Sequence, residues 1–145
     1  MTMRTIKFRG KASHNGEWLY GDLINIHGEY HILGEDDMRE DGHHVTQDSD
    51  RPTWVEPDTI GQFTCLYDKN GKEIYEGDII RIPTKHGDDV FWIGYESSHI
   101  GAFCLCEDDD CNSRFVSIFG RNYDYEPFDC EVIGNIHDNP KLLEQ

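Results

Sequence analysis

The stretch NGKEIYEGDIIRI, residues 70–82, carries the reading of the fold. Asn70-Gly71 is the strongest short hairpin signal, because both central residues of such a turn need positive φ. Tyr75 supplies an aromatic for one face of the returning strand. Gly77 permits a bend, and Asp78 can accept hydrogen bonds from nearby backbone amides where the chain enters the apolar strand that starts at Ile79. Each part specifies shape, and none requires a reaction.

An earlier stretch, NGEWLYGDLINI at residues 15–26, echoes it. With the Asn-Gly pairs aligned, Leu19 falls on Ile74 and Tyr20 on Tyr75. After a one-residue gap at Glu76, Gly21-Asp22-Leu23-Ile24 matches Gly77-Asp78-Ile79-Ile80, and Ile26 falls on Ile82. An internal duplication accounts for this without chemistry. It predicts that both stretches form strand, bend, strand units.

Along the rest of the chain apolar residues recur at period two and rarely at helical spacing, which predicts a mostly β protein. The N-terminal subdomain, residues 1–61, reads as a meander: strands over 5–9 and 18–27, a His27-Gly28 turn, and a return in which Tyr30 and Ile32 face one way. Residues 34–50 are crowded with acids and read as a solvated loop, with an edge strand over 43–46. Asp58 is placed to cap one helical turn after the Pro57 bend. The C-terminal subdomain, residues 62–145, offers short strands over 62–67, 73–75, 79–83, 89–96, 101–106, 114–119 and 130–136. That spacing suggests a small closed or half-open barrel. Asn139 followed by Pro140 signals a short final helix.

Composition narrows the function classes. The 145 residues carry 29 acidic against 13 basic side chains, a formal charge of −16, which repels phosphate backbones and anionic lipid. Direct nucleic-acid binding is therefore disfavoured. Lys7, Arg9 and Lys11 are the exception: they alternate on one face of a strand and read as a solvated face. No apolar run approaches a bilayer span and the first residues lack a signal-peptide core, so the expected location is the bacterial cytoplasm, with no membrane contact. Five cysteines, an odd number without a secretory signal, are expected as reduced thiols.

Cys104, Cys106, Cys111 and Cys130 are the weak metal candidates, completed by His99 or His137, because thiolates and imidazole suit tetrahedral zinc. Paired Cys-x-x-Cys knuckles are absent, so metal-free cysteines are the preferred reading. Residues 107–110 could meet a hard cation but lack the calcium-loop pattern. Eight histidines sit in no nucleophile, phosphate-loop or metalloprotease context. No catalytic residue and no cofactor follow. Tyr95, Phe91, Trp92, Tyr123 and Tyr125 could form a binding surface, with residues 122–126 the better exposed candidate and at least one of Phe91 and Trp92 in the core.

IKFRGK (6–11), WLYGDLI (18–24), VEPDTIGQFTCLYDKNGKEIYEGDII (55–80) and CEVIGNIHDNPKLL (130–143) together resemble the YopX family of phage and prophage proteins. The resemblance implies an N-terminal β subdomain packed with a small C-terminal barrel of the Src-homology-3 type, a temperate-phage or prophage origin, and self-association. It marks Asn70, Gly71, Tyr75, Gly77, Asp78, Gly134 and Asn135 as structural motif residues, and it brings no activity with it. Cys65 stands where the family commonly has Gly. The expected function is thus a non-enzymatic interaction protein, a homo-oligomer that contacts an unidentified phage or host protein. Three alternatives stand beside it: an acidic phosphate mimic that occupies a basic nucleic-acid-binding protein, a metal-dependent enzyme using the Cys and Asp cluster, and direct nucleic-acid binding through Lys7, Arg9 and Lys11.

Overall fold

The computed structural model describes residues 3–34, 53–97, 101–107, 115–117 and 129–144. The acidic loop beyond Gly34, the strand expected over 43–46, Cys111 and the aromatic stretch 122–126 fall outside them. Chain contacts separate two units, Met1–Phe63 and Thr64–Gln145.

Unit 1 is an antiparallel sheet. Its strands are β1 (Phe8–Lys11), β2 (Trp18–Ile26), β3 (Glu29–Gly34) and β4 (Thr53–Trp54), joined by the first residues of β5 (Gly61–Tyr67), in the order β4-β3-β2-β1-β5. The β2–β3 hairpin turns at His27 and Gly28, with φ of 52° and 85°, as a tight turn between right-twisted strands demands. Asn25 Oδ1 accepts the Gly28 N–H at 2.9 Å.

Register sorts the side chains of unit 1 into two faces, since directly opposed residues in an antiparallel pair point the same way. Leu23 opposes Ile32, so these lie on one face with Tyr30; Ile32 is fully buried. Ile24 opposes His31, His31 opposes Trp54, and Arg9 and Lys11 oppose Tyr20 and Trp18, which places all of these on the other face. A single-turn 3-10 helix, Pro57–Thr59, follows β4. Asp58 lies within that turn and does not cap it. Glu56 is the cap residue, and its carbonyl accepts the Thr59 hydroxyl at 2.7 Å.

Unit 2 takes over β5 from Thr64 and adds β6 (Glu73–Tyr75), which neighbours it. A five-stranded antiparallel sheet follows, made of β7 (Asp78–Thr84), β8 (Gly87–Glu96), β9 (Ala102–Cys106), β10 (Phe115–Ser117) and β11 (Glu131–Asn135), in the order β10-β9-β8-β7-β11. Ile74, Ile80, Ile82, Phe91, Ile93, Phe103, Leu105 and Cys130 form one buried cluster, with Leu66 and Val132 half-buried against it. Trp92 packs instead on Cys104 and Cys106, so Phe91 is the core member of its pair. Pro140–Leu143 closes the chain as a 3-10 turn.

The mostly β class expected from the sequence holds, with two antiparallel sheets and no closed barrel. Among the described residues the second sheet is open: its end strands β10 and β11 pair only with β9 and β7, and β11 carries an irregularity between Val132 and Gly134. The duplicated stretches also part company. Residues 18–26 run as one unbroken strand through Gly21, whereas the extra residue Glu76 turns residues 70–82 into strand, reverse turn, strand. No helix among the described residues is long and apolar enough to cross a membrane.

Candidate functional site

The motif residues gather in unit 2 around β6, β7 and β11. The β5–β6 connection, residues 68–72, is built on Asp68 rather than on Asn70. One oxygen of its buried carboxylate accepts the N–H groups of Asn70 and Lys72, both at 2.9 Å, and the other accepts the N–H of Val132 at 3.0 Å. Gly71 alone takes positive φ, 80°, and Asn70 does not, so the turn differs from the two-residue type that Asn-Gly predicts. Asp68 itself explains the change. Its side chain mimics a turn of backbone and draws the loop to five residues. Burial pushes the Asp68 carboxyl up, yet the three amides together with the nearby Lys72 charge hold it below its ordinary range.

At the far end of β6, the Tyr75 N–H donates to buried Asp78 at 2.7 Å. The Gly77 N–H donates to the Ile93 carbonyl at 2.7 Å, and the Gly77 carbonyl accepts the Ile136 N–H at 2.9 Å. Asn135 pairs across the sheet with Asp78, and Gly134 with Ile79. The Asn135 side-chain oxygen accepts the N–H groups of His137 and Asp138, which reverses the chain after β11. Gly134 is required there: a Cβ would stand 2.6 Å from Asn139 Oδ1. Sequence distance separates the two motifs, and strand pairing makes them one joint. Every polar group in it has a backbone partner, so the joint is architectural.

The cysteines do not assemble. Cys104 and Cys106 alternate with Phe103 and Leu105 on β9, which puts them on the face of Trp92, while Cys130 belongs to the core cluster with Phe103 and Leu105. Burial first, then the neighbouring Glu96 charge, pushes the Cys104 thiol up; burial and the Asp68 charge do the same to Cys130. Cys106 is disulfide-bonded, contrary to the expectation of reduced thiols throughout, while Cys65, Cys104 and Cys130 are free. Cysteine count and the absence of a leader say nothing about which thiols strand pairing brings close. A site that needs three or four of these sulfurs as thiolates has no common face to sit on.

The cationic strand is also reinterpreted. Arg9 is buried at 5% exposure, with its guanidinium 4.7 Å from the Trp18 ring centre. Lys11 shares that ring at 5.5 Å, and Lys7 lies 5.6 Å from Phe63. Aromatic faces therefore engage the three cations, and the solvated-face reading fails for Arg9. Alternation showed that they share a face but could not show that Trp18 lies opposite.

Two surfaces remain with binding character. On unit 1, Trp54 stands 53% exposed on the end strand β4, edge-on to His31 at 5.4 Å, with Ile26 and Tyr20 also exposed. In unit 2 a cavity of about 310 Å³ is lined by Asp88, Asp89 and Glu107 together with Val90, Phe91, Leu142 and Leu143.

Residues 7–144 match the family described as YopX protein. The chain belongs to the YopX family. The match spans the joint, the cavity and the exposed face of β4 alike. Comparison with curated proteins gives no match. Among solved structures, the crystal structure of protein EF1440 from Enterococcus faecalis is similar, with a TM-score of 0.46 and 25% identity over 97% of this chain and 99% of that one. In this YopX chain Cys65 has a φ of 68°, the left-handed conformation that glycine adopts without strain.

Proposed function

We propose that this YopX chain is a non-enzymatic, self-associating interaction protein of phage or prophage origin that works in the bacterial cytoplasm. The observation that carries the reading is Trp54: a large aromatic, more than half exposed, on the end strand of the unit 1 sheet. An open edge presents unpaired backbone groups, and an apolar patch beside it is stabilised by a partner surface. A second copy offers the same edge, so a two-fold contact satisfies both. Light scattering across a concentration series tests this. The mass should rise above one chain, and Trp54→Ser should return it to monomer; a strict monomer at high concentration sinks the reading.

A second reading, that the chain occupies a basic nucleic-acid-binding protein, is favoured by the gathering of Asp88, Asp89 and Glu107 around one cavity in a chain of charge −16. Such an encounter is fast and weakens steeply with salt. Affinity capture from host lysate should enrich basic DNA-binding proteins at low salt. Recovery of neutral partners only would count against it.

A further inference from the structure

The cavity of unit 2 combines two kinds of wall. Phe91 is buried and Val90, Leu142 and Leu143 are half-buried, so one side is apolar. Asp89 is two residues from Phe91 on β8 and shares its face of the sheet. Trp92 opposes Cys106, so Glu107 continues that register opposite Phe91 and joins the same face. Two carboxylates therefore stand at the end of an apolar core, where a strand pattern ordinarily places hydrocarbon. Asp88 adds a third at the lining. The cation beside it, Arg81, lies 3.8 Å from Asp88 but bonds more closely to Glu131, and both side chains of the Arg81–Asp88 pair are about half exposed, which leaves little net neutralisation.

We infer that this cavity receives a lysine or arginine side chain from a basic segment of a partner protein. An aliphatic stem followed by a cationic head matches the wall order: the methylenes lie along Leu142, Leu143 and Phe91, and the head reaches Asp89 and Glu107. The volume, about 310 Å³, accommodates one such side chain with water. The inference rests on the second reading above for the sign of the partner's charge, and it adds the place and the residue type.

The test uses the full chain and the blocked peptide acetyl-Gly-Lys-Leu-Arg-Lys-Gly-amide, titrated at low salt while the methyl signals of Leu142 and Leu143 are followed by NMR. Saturable shifts at both leucines are expected. Asp89→Asn with Glu107→Gln should weaken binding about tenfold, the scale of losing charge-assisted contacts. A control that also removes two charges, Glu17→Gln with Asp22→Asn in unit 1, should stay within about twofold by long-range screening alone. Leucine signals that do not move, or equal weakening by the control pair, overturn the cavity. If the double variant does not fold by circular dichroism, Glu107→Gln alone decides, because that residue is exposed beyond the end of β9. Capture of basic proteins that persists while the leucines stay silent would remove this site and leave the second reading standing.

Discussion

The Asp68 carboxylate holds the Val132 amide at 3.0 Å across 64 residues of sequence, and the same side chain organises its own turn. Beside it the Lys69 N–H donates to the Cys130 carbonyl at 2.9 Å, so the β5–β6 connection is tied to the start of β11 at two points. Asp68→Asn keeps the shape and one accepting oxygen but turns an N–H₂ group toward an N–H donor. The expected loss is about 3 kcal/mol, since a buried charged acceptor of three amides is replaced by a mismatched amide. Denaturant unfolding of the two proteins measures it, and a loss below about 1 kcal/mol would mean that Asp68 is not the organiser.

Cys65 gives a prediction of opposite sign. Its left-handed φ of 68° costs about 1–2 kcal/mol for a residue with a Cβ, while glycine gives back part of that through a more mobile unfolded chain. Cys65→Gly should therefore raise stability by about 0.5–1 kcal/mol, and Cys65→Val, β-branched, should lower it by at least that much. Thermal midpoints of the three proteins check the ranking. Equal midpoints for Gly and Val would show that the backbone at this position relaxes.

Cys65 is half-buried, whereas Cys104 and Cys130 are buried with thiols pushed up by burial. Thiolate, not thiol, attacks alkylating agents, so native iodoacetamide treatment should label Cys65 first and reach Cys104 and Cys130 only on unfolding. Tryptic mass spectrometry reads the order. The same spectra, taken without reductant, should show the Cys106 peptide in a disulfide. Rapid native labelling of Cys104 would contradict its placement under Trp92.

What the sequence made legible was local. Alternating apolar residues gave the strands, and His27-Gly28 marked a turn that needs positive φ at both residues, because these signals reside in adjacent positions. Long-range pairing was silent. Asp68 reads as an ordinary turn residue until Val132 arrives from the other end of the unit, and Arg9 reads as solvated until β2 brings Trp18 over it. Closure of a barrel is likewise a statement about which strands meet: β10 and β11 were visible as strands, but their separate partners were not. The left-handed Cys65 had a single sequence signal, the glycine that the family commonly places there. The cavity had none, since Asp89, Glu107 and Leu142 come from three separate elements.

Asp68 also sets how stability responds to acid. Its carboxyl lies below the ordinary value of 3.8 in the folded chain, so the folded state prefers the ionised form more strongly than the unfolded chain does. The stabilisation is therefore complete above about pH 5, and it fades as pH falls through 3.8 toward the lower folded value, where the folded carboxylate must take up a proton. Cys104 and Cys130 act at the other end. Their thiols are raised above the ordinary 9.0, so what they contribute is present below pH 9 and is lost as the pH rises, because the unfolded chain ionises first. The gap in unfolding free energy between the parent chain and Asp68→Asn should then be widest near neutrality and close by about pH 2, where protonated aspartic acid and asparagine carry the same charge. Denaturant titrations of both proteins at stepped pH measure the gap. A gap that stays constant down to pH 2 would show that the Val132 contact depends on shape and not on charge.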